Sequence, residues 1–115
     1  MSNTDVQRIE NNIKEARAIV ELSNSLDRLK GNRDFKKLIL EGYFRDEAVR
    51  LVHLKVDPSM QTAERQASVV SQIDAIGGLS SFLRTVEFNA SIAAKAIESG
   101  EADIEEIQAE ELSNV

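Results

Sequence analysis

The chain contains no cysteine, no tryptophan and a single proline, and aromatic side chains make up only 4% of its 115 residues. Without cysteine there is neither a disulfide framework nor a thiolate metal site. Strand-forming residues are few, whereas Ala, Glu, Leu, Ile, Ser and Arg are abundant, which is typical of helical proteins. These absences favour an all-α fold of one modest domain.

Long hydrophobic runs are missing as well. No stretch approaches the roughly 20 apolar residues that span a bilayer, and the first residues, MSNTDVQRIE, lack the basic-then-apolar layout of a secretion signal. We therefore expect no membrane association, and a location in the cytoplasm or in an assembly formed there.

Charge of one sign is concentrated at the C-terminal end. Residues 101–115 contain six acids and no Lys or Arg, and the preceding residues contain 14 acids and 14 bases, so this segment accounts for the formal net charge of −6. The acidic tail consists of Glu101, Asp103, Glu105, Glu106, Glu110 and Glu111. A block of uncompensated charge tends to remain solvated or to bind a basic partner.

The first predicted helix spans about residues 5–30. Thr4 and Gln7 have the spacing of a capping box, so Thr4 is the predicted N-cap. Apolar residues recur at steps of three and four, and halfway along the helix the pattern moves to a second register, which changes the supercoil or widens the buried face. The two registers are Val6, Ile9, Ile13, Ala16 and Val20, followed by Ile19, Leu22, Leu26 and Leu29. Gly31 and Asn32 are predicted to end the helix through a residue that tolerates positive φ.

Two short helices, about 33–41 and 43–56, are predicted next. Asn32 is the expected cap of the first, and Gly42 either ends it or bends it into the second. The second stops before Pro58, because proline disfavours α geometry at the residue that precedes it.

A long helix, about 59–99, is predicted to follow, with Asp57 as its cap and Pro58 in its first position, or with a competing start at Thr62. Its apolar seam has heptad-like steps, and the residues expected to contact other proteins are Leu79, Leu83, Val86, Ala90 and Ile97. The pair Gly77–Gly78 either lies within a continuous helix, which we favour, or breaks it. Ser99–Gly100 is the predicted end, followed by a tail (101–115) that is disordered or forms a short docked helix.

The predicted architecture is therefore all-α, with one helical domain over residues 1–100. Long antiparallel helices form a hairpin or bundle with coiled-coil-like seams, with short central helices and an acidic C-terminal tail. The seams exceed what so small a protein needs for its own core, which favours a homo-oligomer or docking onto a larger protein. The alternative is that they close internally as a helical hairpin.

No catalytic constellation is apparent in the sequence. His53 is the only histidine, no nucleophile elbow or phosphate-binding loop occurs, and no E-x-x-H pair is present to hold a metal in a bundle. We predict a protein that is not an enzyme and has no cofactor and no metal site.

A basic corner lies around the first predicted turn and comprises Arg28, Lys30, Arg33, Lys36 and Lys37. These bases are either an ordinary solvated corner, a weak phosphate-binding surface, or a docking place for the acidic tail of the same or a neighbouring subunit. Nucleic-acid binding is disfavoured, because five bases are weak evidence in a chain whose sequence pI is about 4.8.

Three phrases, EGYFRDEAVRL, DPSMQ and IDAIGGL, occur between Phe35 and Val86, and the acidic end contains IEEIQAEEL. With these phrases, residues Phe35 to Val86 resemble small helical proteins encoded by tailed bacteriophages. This resemblance covers under half of the chain and includes no catalytic signature. It implies a small accessory or virion protein, found in the virion or the host cytoplasm.

Three functional hypotheses follow. The first is a non-enzymatic phage structural or assembly protein whose helical seams bind copies of itself or a larger virion protein. The second is a regulator or inhibitor whose acidic tail occupies a basic surface of a host nucleic-acid enzyme. The third is a DNA-packaging or DNA-binding subunit that uses the basic corner.

Overall fold

The computed structural model describes residues 2–114, and all secondary structure within that range is helical, which confirms the all-α prediction. The elements are α1 (Ser2–Lys30), α2 (Arg33–Phe35), a π-helix (Lys36–Glu47), α3 (Ala48–Val56), a 3₁₀ turn (Pro58–Met60) and α4 (Ala63–Ser113). Met1 and Val115, which belong to the predicted domain and tail, lie outside the described residues. The helices form two compact units. Unit 1 combines residues up to Ser25 with residues from Thr85 onward, and unit 2 is Leu26–Arg84.

Unit 1 is an antiparallel pairing of α1 with the C-terminal part of α4. Ala16 and Ile19 line the same groove as Ile92 and Ala93, whereas residues near the start of α1 lie beside residues 103–110. Its buried apolar side chains are Ile13, Ala16, Val86, Ala90 and Ala93. Because the buried and half-buried positions of α4 continue at steps of three and four to Ile107, the two helices bury one continuous seam.

Unit 2 has a core of its own around Leu51, Val69 and Ile76, of which Leu51 is 1% and Val69 0% exposed. Partly buried side chains packed on this core are Tyr43, Phe44, Ala48, Leu54, Met60 and Ile73. The core therefore joins α3 and the π-helix to the N-terminal part of α4.

Polar side chains hold the turn between α3 and α4. The Asp57 carboxylate accepts hydrogen bonds from the backbone N–H of Ser59 (2.8 Å) and from its hydroxyl (2.6 Å), and these bonds lower the pKa of Asp57. The Gln66 amide donates to the carbonyl oxygens of Lys55 (2.8 Å) and Met60 (2.7 Å). The Gln66 side chain thus satisfies the Lys55 carbonyl in the last turn of α3.

Several predicted helix boundaries are confirmed. The Asn32 side chain accepts from the Phe35 N–H at 2.9 Å and caps the second helical segment. Pro58 occupies the first position of a helical turn capped by Asp57, but α4 itself begins at the alternative start, where the Thr62 hydroxyl accepts from the Arg65 N–H at 3.2 Å.

Other predicted boundaries are wrong. Helix α1 begins at Ser2, so Thr4 lies inside the helix and is not its N-cap. Ser2 and Asn3 both adopt helical geometry, which extends the helix beyond the predicted start. The end of α1 at Gly31 is confirmed, since the helix ends at Lys30, but its predicted mechanism is wrong. No described residue has positive φ, and the Asn32 N–H instead bonds to the Leu29 carbonyl.

Gly42 does not end the first of the two predicted central helices. The backbone stays helical from Arg33 to Val56 and changes to π-helical hydrogen bonding, with partners five residues apart, between Lys36 and Glu47. A Cβ at Gly42 would come within 3.1 Å of the Lys37 carbonyl oxygen, five residues earlier. The wider helix is therefore accommodated at a position without a side chain.

The predicted end of the long helix at Ser99–Gly100 is also wrong. Helix α4 is continuous for 51 residues, through Gly77–Gly78 and through Gly100, to Ser113. Gly100 serves packing instead of termination, because an added Cβ would lie 3.0 Å from Ile13 Cδ1 and 3.2 Å from Ile9 Cγ2. The acidic tail is consequently part of the helix that builds unit 1.

Candidate protein-contact surface

The seam residues predicted for partner contact contribute mainly to the protein's own packing. Val86 and Ala90 are each 8% exposed, and Leu83 and Ile97 are half-buried. Leu79 is different, with 39% of its surface exposed, because the half-buried position there is Ser80. Contact of these residues with another protein remains a prediction, but only Leu79 is largely available for it.

Only Leu26 of the second apolar register of α1 lies on the buried face. The buried or half-buried positions after Val20 are Ser23, Leu26 and Lys30, whereas Ile19, Leu22 and Leu29 are 41%, 55% and 44% exposed. From Val20 to Ser23 and from Ser23 to Leu26 the buried positions advance by three residues each time, and these two steps keep the seam on one side of the helix. As a result, the helix carries an additional apolar edge beside the seam.

That edge borders an apolar groove in unit 1, which we call the groove face. The groove has a volume of about 350 Å³. Ala16 and Ala93 are buried in it, and Ile19 and Ile92, the latter 53% exposed, are its larger apolar side chains. Its other lining residues are Asn12, Glu15, Asn89 and Ala96. Short alanines beside long isoleucines provide a recess that a side chain from another helix can fill.

The groove face continues along the helix pair toward the start of α1. The next recess, about 260 Å³, shares Asn12 and Ala96 with the first and adds Ser99 and Gly100. A third, about 280 Å³, shares Ile9 and Asp103 with the second. The three recesses therefore form one continuous groove.

Carboxylates dominate the far part of this groove, which we call the acidic end. Its charged lining residues are Asp5, Arg8, Asp103, Glu106 and Glu110. The single cation, Arg8, lies 3.6 Å from the Asp5 carboxylate, and both side chains are more than half exposed. Since one cation faces four acids, this part of the groove attracts positive charge.

One tail acid has a separate role. Glu101 forms an exposed ion pair of 2.9 Å with Arg17. It joins α4 to α1 within unit 1 and contributes little to stability, because both side chains remain solvated.

Unit 2 has a second apolar surface, which we call the valine face. Val49, Val52 and Val56 are 52%, 58% and 73% exposed, and their spacing places them on one side of α3. The opposite side of the same helix buries Leu51. Helix α3 is therefore apolar on both sides.

The π-helix adds a further recess in unit 2, with a volume of about 450 Å³. Leu38, 71% exposed, lies at this recess together with Ile39, Gly42, Tyr43 and Glu47. Gly42 lines the recess without contributing a side chain.

The five residues of the basic corner lie on three elements. Arg28 and Lys30 are in the last turn of α1, Arg33 begins α2, and Lys36 and Lys37 begin the π-helix. All are exposed except Lys30, which is half-buried. Cations in the last turn of a helix are favoured there by the helix dipole.

Few side chains on the described surface are of the kinds that act in catalysis or bind a metal ion. His53 is exposed on α3, and residues 2–114 contain no group of three or more His, Asp or Glu side chains placed to hold a metal ion. Among these residues, no helix combines the length and apolarity required to cross a membrane.

Comparison with known proteins returned no match to a family model, a curated protein or a solved structure.

Proposed function

We propose that the protein is a structural or assembly protein of a tailed bacteriophage, without enzymatic activity, that binds copies of itself or a larger virion protein through its helical surfaces. The observation that carries this proposal is the exposure of large apolar side chains in ordered rows. The groove face presents Ile19 from α1 and Ile92 from α4, and the valine face presents a row along α3.

Rows of this kind favour binding to another protein. Single exposed apolar residues are normal, but contiguous apolar surface on a small protein commonly marks an interaction site. Burial of apolar surface contributes about 25 cal/mol per Å², so covering either face favours association. The phage assignment rests on the resemblance of residues 35–86 to small phage proteins.

A regulator that binds a basic surface is the second candidate. The observation in its favour is that α4 holds Asp103, Glu106 and Glu110 along one groove, where they present a fixed row of carboxylates. Neutralising these three acids to Asn and Gln should then abolish binding to a basic partner without removing a helix.

Light scattering at low and high salt tests the leading proposal. We expect an oligomer whose mass is retained in high salt, because apolar burial is not screened by ions. Co-sedimentation with phage particles, or with a purified head, portal or tail protein, would identify a virion partner. A monomer that binds none of these would contradict the proposal.

A further inference from the structure

We infer that the groove of unit 1 binds a basic amphipathic helix of another protein, which lies along α1 and α4 as a third helix. Apolar side chains of this partner fill the groove face, and a Lys or Arg side chain enters the acidic end. The inference rests on the binding of a larger protein in the proposed function, and it specifies the surface and the chemistry of the partner. Its basis is the spacing of the three recesses and the charge along them.

The three recesses repeat along α4 with the period of a coiled coil. On this helix each recess is lined by four residues at relative positions 0, 3, 4 and 7, and the three sets begin at Asn89, Ala96 and Asp103. Four residues with this spacing form the hole that receives a side chain of a neighbouring helix in knobs-into-holes packing. Because the sets begin seven residues apart, the groove contains three successive holes.

Helix α1 lines the same recesses from the other side. Its four residues at the groove face begin at Asn12 and end at Ile19, again at relative positions 0, 3, 4 and 7, and those at the acidic end begin at Asp5. Seven residues advance about 10.5 Å along a helix. A third helix therefore presents one side chain to each recess. An extended chain does not match this spacing, because its side chains return to the same side about every 6.6 Å.

The character of the recesses identifies the side chains that fit them. At the groove face, buried alanines lie beside Ile19 and Ile92 and leave space for a long apolar side chain such as leucine. At the acidic end, four carboxylates and one cation line the recess together with the half-buried Ile9 and Ile107. A Lys or Arg side chain fits this combination, because its apolar stem packs on the isoleucines while its charged head reaches the carboxylates.

Net charge favours a partner that differs from this chain. The protein carries a formal net charge of −6, which comes from residues 101–115, and three acids of this segment line the acidic end. Two copies therefore repel each other at this surface, whereas a basic partner is attracted to it. The groove thus selects a helix that has an apolar side chain at one position and a basic side chain two heptads away.

Designed peptides test the groove directly. The probe is a helix-stapled peptide with leucine, leucine and arginine at successive seventh positions and with alanine and glutamine elsewhere, and fluorescence anisotropy measures its Kd. We expect binding that weakens as salt is raised. Replacing the arginine by glutamate, or shortening the spacing from seven to five residues, should raise the Kd by about tenfold or more.

Variants of the protein locate the bound peptide. Ile92→Arg places a charge in the groove face, whereas Phe88→Arg alters a side chain on the same helix that is 64% exposed and does not line the groove. Glu106→Gln removes a carboxylate from the acidic end, and Glu105→Gln removes one from the adjacent position, which does not line it.

The two groove variants should weaken peptide binding in different ways. We expect Ile92→Arg to raise the peptide Kd by about tenfold or more. Glu106→Gln should raise it several-fold and reduce its dependence on salt, because one charge pair is lost. Phe88→Arg and Glu105→Gln should leave the Kd nearly unchanged. Circular dichroism should show the same helix content for all four variants.

The outcomes separate this inference from the proposed function. Wild-type protein that binds a virion component but not the peptide, or that binds the arginine and glutamate peptides equally, would overturn the inference alone. Self-association that Ile92→Arg abolishes would identify a second copy as the occupant and would also overturn it. Peptide binding as expected, without self-association or binding to a virion component, would support the inference and contradict the proposed function. A monomer that binds neither peptide nor virion component would overturn both.

Discussion

Glycine residues in α4 have two different environments. A Cβ at Gly77 or Gly78 would have no heavy atom within 4 Å apart from its chain neighbours and the backbone of its own helix, whereas at Gly100 it would lie 3.0 Å from two atoms of the Ile13 side chain. Gly77 and Gly78 lower the stability of the helix, because glycine loses more backbone entropy than alanine when it becomes helical. Neither glycine gains a packing contact within the chain in return. Gly100, in contrast, permits close approach of α1 and α4.

Alanine at these positions should therefore have opposite effects. We expect Gly77→Ala to raise the free energy of unfolding by about 1 kcal/mol through helix propensity. Gly100→Ala should lower it, because crowding of a packed side chain costs about 1–3 kcal/mol and exceeds the propensity gain. Urea denaturation of both variants measures the difference, and equal stabilisation by the two alanines would contradict the packing role of Gly100.

At the level of elements, the sequence predicted most of the helical segments but not where the long helix ends. The capping residues Asn32, Asp57 and Thr62 were identified because their side-chain oxygens act locally. The end at Gly100 was mispredicted because glycine disfavours a helix intrinsically, and only contact with Ile13 shows why the helix continues.

The candidate surface was less predictable for a related reason. Apolar residues at adjacent positions, such as Ile19–Val20 and Ile92–Ala93, indicate that a helix has more than one apolar side. Apolarity alone does not decide which side faces the paired helix. In α4 the seam passes through Ser80 while Leu79 is exposed, an assignment that only the packing of both helices determines.

The acidic tail, as a helical element, should contribute to stability. Truncation after Gly100 removes the half-buried Ile104 and Ile107 from unit 1, together with the Arg17–Glu101 ion pair. We expect a clear fall in Tm and in helix content beyond the deleted residues, because the start of α1 loses its partner. Thermal unfolding followed by circular dichroism measures both quantities.

Truncation after Glu110 is the control for that experiment. It removes Glu111 and the exposed Leu112 but keeps the half-buried positions. The Tm should change little. If the two truncations had the same effect, the packing of Ile104 and Ile107 would not be what stabilises the tail.

On the scale of the whole molecule, each unit has its own core. Leu51→Ala should destabilise unit 2 by about 2–5 kcal/mol, the usual cost of a cavity at a fully buried leucine. Amide hydrogen exchange should show the loss of protection first in α3 and around Val69, and less in residues 86–107.

Val52→Ala is the matched control, because Val52 is adjacent to Leu51 in sequence but 58% exposed. It should leave exchange rates within unit 2 nearly unchanged. Uniform loss of protection throughout the chain in Leu51→Ala would show that the two units unfold as one.

The two units also differ in the number of chain segments that form them, and this difference affects the order of folding. Unit 2 is one contiguous segment, whereas unit 1 joins two segments separated by the 59 residues from Leu26 to Arg84. Closing so long a loop costs more entropy than the local pairings of unit 2. During synthesis, unit 2 can therefore form first. Ile13 and Ala16 can be buried only after the C-terminal part of α4 has emerged from the ribosome.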